Sequence, residues 1–140
     1  MKRRTFIKST AMGIAGAGML PLSVKGISES LAQDTFPHAV RVENGEPVAL
    51  LKTALKELGG LSRFVSSGDV VVIKPNMGWD RAPEYAANTN PDLIAALVKA
   101  TLEAGAKTVK IFDRTCNNPR RCYVNSRIQE KAEAAGAEVM

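Results

Sequence analysis

Val70-Val71-Val72-Ile73-Lys74-Pro75-Asn76 sets four β-branched residues in a row and then stops them with a proline-containing turn. Such an unbroken run favours a strand buried on both faces, as in the middle of a parallel sheet, over the alternation of a half-wetted strand. Downstream, Asn90-Pro91-Asp92 carries the signals of a helix start. These are a side-chain acceptor at the cap, a proline at the first helical position and an acid matched to the helix dipole. The helix runs to about Ala104, Gly105 ends it, and residues 107–112 then alternate polar and apolar side chains up to Asp113. Strand, long loop, helix, strand is a βαβ unit. The right-handed crossover of such units brings Lys74 to Asn76 and Asp113 to Cys116 together at the carboxyl end of one parallel sheet. The fold class expected is therefore α/β, with a mostly parallel sheet built from βαβ units.

The same design recurs further on. Residues 127–135 read as a helix, and Ala135-Gly136-Ala137-Glu138-Val139 echoes Ala104-Gly105-Ala106-Lys107-Thr108-Val109. The first copy continues as a strand to Phe112, whereas the second reaches Met140 after only a few residues. This predicts a domain over 33–140 that is the amino-terminal part of a longer one, with a short edge strand as the alternative. Towards the amino terminus, Ala39-Val40-Arg41-Val42 alternates and predicts a first strand, followed by a turn at Asn44-Gly45 and Pro47. Val48, Leu51, Leu55 and Leu58 recur at spacings of three and four, with Lys52 and Lys56 on another face, so an amphipathic helix ends at Gly59-Gly60. Leu61, Phe64 and Val65 then lead into a turn at Ser66-Ser67-Gly68-Asp69.

The first residues, Lys2-Arg3-Arg4-Thr5-Phe6-Ile7-Lys8, resemble a twin-arginine export signal through Arg3, Arg4, Phe6 and Lys8. Residues 9–24 are apolar but diluted by Gly13, Gly16 and Gly18, too short and glycine-rich for a stable membrane span. Ser30-Leu31-Ala32 offers small residues to a signal peptidase, which places cleavage after Ala32 and the mature amino terminus at Gln33. An ordinary secretory signal or an uncleaved anchor is the alternative. The resemblance implies the twin-arginine export machinery as partner, folding before export, often around a cofactor, and a periplasmic or otherwise extracytoplasmic location without a permanent membrane span. Residues 1–32 hold Lys2, Arg3, Arg4, Lys8 and Lys25 against Glu29, a net +4 of the chain's formal net charge of +5. Residues 33–140 keep 14 basic (19 minus 5) against 13 acidic (14 minus 1) side chains. Near-neutral and without a basic run interleaved with aromatics, that part does not suggest a nucleic-acid partner.

Taken together, the strand running into Lys74-Pro75-Asn76, Asn88-Thr89-Asn90-Pro91, Glu103-Ala104-Gly105-Ala106 and Asp113-Arg114-Thr115-Cys116-Asn117 resemble the exported family called domain of unknown function 362. The resemblance covers most of residues 38–140. It implies an α/β domain and an export habit, and members sometimes accompany iron-sulfur segments; it implies no reaction for any residue here.

The residues themselves point to the strand ends. Lys74 can pair with an anion or a carboxylate, Asn76 can donate and accept hydrogen bonds, and Gly78 lets a ligand approach the backbone, although the same three suit a plain turn. Trp79 and Tyr85 form a ligand wall or simply cover the sheet end. Asp113 is positioned to pair with Lys74, and Arg114, Arg120 and Arg121 add positive charge, so a small carboxylate or phosphate compound is the natural ligand, with a solvated surface as the alternative. Neither GxGxxG nor a Walker sequence is present. Cys116 and Cys122, the only cysteines, have three explanations: a disulfide favoured by an oxidising compartment, half the ligand set of a metal or iron-sulfur cluster, or free thiols. His38, the lone histidine, reads as a surface residue. The function classes are a redox or metal-dependent exported protein, a binding or hydrolytic module for a small anion, and a fragment without independent function.

Overall fold

The computed structural model describes residues 36–140. The signal expected over 1–32 and its cleavage site lie outside them. Three parallel strands, β1 (Val70–Ile73), β2 (Thr108–Ile111) and β3 (Glu138–Val139), make one sheet in the order β1-β2-β3. Val70 pairs with Thr108, Ile73 with Ile111, and Ile111 with Val139. Helix α1 (Pro47–Glu57) precedes the sheet, α2 (Pro91–Glu103) makes the first crossover, and α3 (Pro119–Asn125) with α4 (Ile128–Ala134) make the second. The α/β class and the repeated crossover are as expected. Met140 N donates to Ile111 O at 3.0 Å and extends the ladder past β3.

Local chemistry explains the elements. The Asn90 side chain accepts from the amides of Asp92 (2.9 Å) and Leu93 (3.1 Å), and Pro91 follows at a position where no amide donor is needed. Pro91, Ile94, Val98 and Thr101 are the buried stripe of α2, at helical spacing. Asn118-Pro119 repeats the device at α3, where Asn118 accepts from Arg121 N at 3.3 Å. Gly105 ends α2 at φ +106°, and an added β-carbon would stand 3.2 Å from Ser67 Cα, so this turn has room for glycine alone. Close by, Gly68 N donates to Gly105 O (2.8 Å) and Lys107 N to Asp69 O (2.7 Å), which ties the amino ends of β1 and β2 together.

The core lies on one face of the sheet. Val109 and Ile111 meet Ile94 and Val98 of α2 and Ile128 and Ala132 of α4, with Met77 and Val65 closing its ends. Each large aliphatic side chain so buried stabilises the fold by about 1.5–3 kcal/mol. α2 packs on α4, and α1 rests on α2 without fully burying any residue of its own.

Two expectations need correction. Ala39 to Val42 is not a strand: the segment is irregular and largely exposed, and no strand among the described residues offers it a ladder. Alternation fits a strand, but pairing makes one, and this segment runs instead into a left-handed Asn44 (φ 62°) and the proline start of α1. Nor is β1 buried on both faces. Val70 and Val72 are 58% and 52% exposed, because both crossover helices lie on the side of Val71 and Ile73 and, among the described residues, β1 pairs along one edge only.

Candidate functional site

The loops that leave β1 (74–90) and β2 (112–118) meet beyond the carboxyl ends of the strands, as crossovers of one hand require. The first is fastened by Met77, whose side chain is wholly buried in the core. Its amide donates to Asp113 Oδ2 at 2.9 Å. Asp113 Oδ1 takes Lys74 Nζ at 2.6 Å and the Arg114 amide at 2.9 Å. The Tyr123 hydroxyl of α3 accepts from Asp113 N (3.0 Å) and donates to Asp113 O (2.9 Å). Sequence-predicted Lys74 and Asp113 thus pair and join the two strand ends. The Asp113 carboxylate is 5% exposed, while Lys74 remains 62% exposed. Burial raises the Asp113 pKa, but the Lys74 ammonium and the two backbone amides outweigh it and hold the carboxyl below its ordinary value.

Asn76 shapes the loop it stands in. Its amide donates to Thr89 Oγ1 (2.9 Å) and its carbonyl accepts from Thr89 N (2.8 Å). The side chain donates to Ala87 O (3.1 Å) and accepts from Gly78 N (3.3 Å). The neighbour that approaches Gly78 is the second loop itself: the Cys116 amide (2.8 Å), the Asn117 amide (3.3 Å) and Cys122 Sγ (3.3 Å) all donate to Gly78 O. Cys116 is exposed and Cys122 buried, and both are free thiols. Burial pushes the Cys122 thiol pKa up. Among the described residues no group of three or more His, Cys, Asp and Glu side chains is placed to hold a metal ion. Arg114 and Arg120 are exposed away from this cleft lining, and His38 is exposed ahead of α1.

Beside this junction lies an open cleft of about 480 Å³ lined by Trp79, Asp80, Arg81, Asn117, Asn118 and Arg121. Asn88 holds its wall, accepting from Trp79 N (3.1 Å) and donating to Trp79 O (2.9 Å) and Arg81 O (3.1 Å). Asp80 is its hub. The Asp80 amide donates to Asn117 Oδ1 (3.1 Å), and its carboxylate, 15% exposed, receives Arg121 at 2.7 Å and Asn125 Nδ2 at 2.5 Å. The Trp79 ring is 46% exposed. Asp80, Arg81, Asn88, Asn117, Asn118 and Tyr123 are residues of this site that the sequence reading does not single out. The repeat of Asn90-Pro91 in Asn118-Pro119 is the one signal that foretells part of this set, because it starts a helix at the cleft.

Among the described residues, no helix is long and apolar enough to cross a membrane. A family profile described as "Domain of unknown function (DUF362)" matches residues 71–140, the stretch that holds all but the first residue of the sheet and both loops of the site. A thylakoid-associated protein of Synechocystis sp. (strain PCC 6803) is 40% identical over 65 residues, which are 46% of this chain and 20% of that relative. The matched stretch thus spans about a fifth of the relative's length. No solved structure shows a significant match.

Proposed function

Because the chain belongs to the DUF362 family, which is defined without a reaction, we propose from its own side chains that it is an exported binding domain for a small anion with a flat or apolar body. The observation that carries this reading is the cleft at the strand ends, where two guanidinium groups and two side-chain amides surround a half-exposed indole. Arg81 has no carboxylate partner among the described residues, whereas Arg121 is anchored by Asp80. Arg81 donates to the Asp80 carbonyl at 2.9 Å; a cation fixed by a carboxylate beside one without a carboxylate partner suits a carboxylate or phosphate group, and the indole face suits the remainder of the ligand. In this reading Lys74, Asn76 and Asp113 are positioning residues that hold the two loops in register, Lys74 also adding an exposed cation. Arg3 and Arg4 deliver the domain through the twin-arginine machinery to the extracytoplasmic side, and the thylakoid association of the relative accords with a place beside a membrane. For the iron-sulfur association this chain offers two cysteine donors, Cys116 and Cys122.

Trp79 is the only tryptophan, which makes its emission a direct report on the cleft. Titration of the full chain with phosphate, aliphatic dicarboxylates and aromatic carboxylates is expected to give a saturable change with at least one class. Arg81→Gln removes that response and leaves the circular dichroism unchanged. A flat emission across all three classes defeats the proposal.

A further inference from the structure

Both thiols of the chain lie near one residue, Gly78. Cys122 Sγ lies 3.3 Å from Gly78 O, the Cys116 amide binds the same oxygen at 2.8 Å, and Cys116 Sγ is 3.7 Å from the point that a β-carbon on Gly78 would occupy. The segment between them carries Asn117, Asn118 and Arg121, three of the five polar and charged residues that line the cleft. We infer that Cys116 and Cys122 are a thiol–disulfide site, closing reversibly into an intramolecular bond that ties together the two ends of this wall segment beside the Gly78 loop. The effect on the cleft rests on the binding function proposed above; the bond itself does not.

The chemistry is ordered by exposure. Cys116 is accessible and Cys122 is buried, so a small-molecule disulfide meets Cys116 first. The Cys116 thiolate attacks one sulfur of that oxidant, a mixed disulfide forms, and one thiolate leaves and takes up a proton. Cys122 then gives up its proton and its contact with Gly78 O, and its sulfur attacks Cys116 Sγ. The mixed disulfide breaks and a second small thiol leaves. Two protein thiols are oxidised by two electrons, and one small-molecule disulfide is reduced to two thiols. Burial, which raises the Cys122 pKa, makes it the resolving partner and not the first nucleophile. The closed ring is short, six residues apart in sequence, and Pro119 within it already restricts the segment.

The test equilibrates the full chain in mixtures of reduced and oxidised glutathione, quenches with a maleimide after denaturation and reads intact mass. The expected course is one step from two alkylated cysteines to none, with the loss of two hydrogen atoms and no retained glutathione. Cys116→Ser is expected to stay fully alkylated on Cys122, and Cys122→Ser to keep one glutathione on Cys116. Persistent double alkylation of the wild type, stable glutathione adducts, or a disulfide-linked dimer overturns the inference. Because Cys122 is buried and its replacement can perturb folding, the wild-type result and the Cys116→Ser control decide on their own. Trp79 titration in both redox states separates the two proposals. A single-step loss of thiols with a flat titration keeps the disulfide and removes the anion site.

Discussion

Valines of the same short sheet live in opposite surroundings. Val109 in β2 is fully buried, whereas Val72 in β1, one strand away and pointing to the other face, is 52% exposed. The covered face, with Val71, Ile73, Val109, Ile111 and Val139, meets α2 and α4. The other shows Val70, Val72, Phe112 and Met140, with Lys110 and Glu138 3.8 Å apart between them. Within β1 the residue types barely differ between the faces; the cover from the crossovers does. Both helices fall on one side of the sheet, so stability is concentrated there, and the chemistry gathers where that covered side meets the strand ends.

The largest effect should come from hollowing the covered face. Ile111→Ala removes a side chain with no exposure, flanked by both helices, and should cost about 2–5 kcal/mol, read from the denaturant midpoint at constant slope. A loss no larger than that of an exposed valine would erase the distinction between the faces. Next comes the strand-end junction. Asp113→Asn keeps the shape but removes the charge that draws Lys74 and two amides, and should cost about 1–3 kcal/mol at neutral pH. The pH dependence has a definite sign. The Asp113 carboxyl has a lower pKa folded than unfolded, so its contribution is complete above the ordinary carboxylate pKa of 3.8 and fades as pH falls below it. Between pH 6 and pH 3, roughly the span over which carboxylates titrate, the wild type should therefore lose more stability than Asp113→Asn. Parallel curves would show that Asp113 keeps its ordinary pKa.

This contrast also marks what was legible beforehand. The βαβ order, the Asn90-Pro91 cap, the repeat that ends in β3 and the meeting of Lys74 with Asp113 all follow from local signals, because strand runs, caps and crossover handedness are written in neighbouring residues. Ala39 to Val42 and the bare side of β1 were misread, because ladder partners and helix cover are tertiary facts that a run of valines does not carry. The cleft was half read for the same reason. Arg121 and Trp79 are legible as candidates, but Arg81 is not, and Asp80 becomes the hub only when Arg121, Asn117 and Asn125 arrive from about forty residues away.

The smallest predicted effect tests the bare face itself. Val72→Thr keeps the β-branch and the volume while replacing a methyl with a hydroxyl, and a half-exposed site can hydrate that hydroxyl without a protein partner. The change should stay within about 0.5 kcal/mol, as for most surface substitutions, and pairing it with Val70→Thr should add little more. The same exchange at Val109 would place an unpaired hydroxyl in the core and should cost about 1–3 kcal/mol. Equal losses at Val72 and Val109, measured on the full chain, would mean that water does not reach Val72. Parallel sheets are ordinarily covered on both faces, so that result would move the sheet from the one-sided class to the two-sided one, while a small loss keeps the two faces physically distinct.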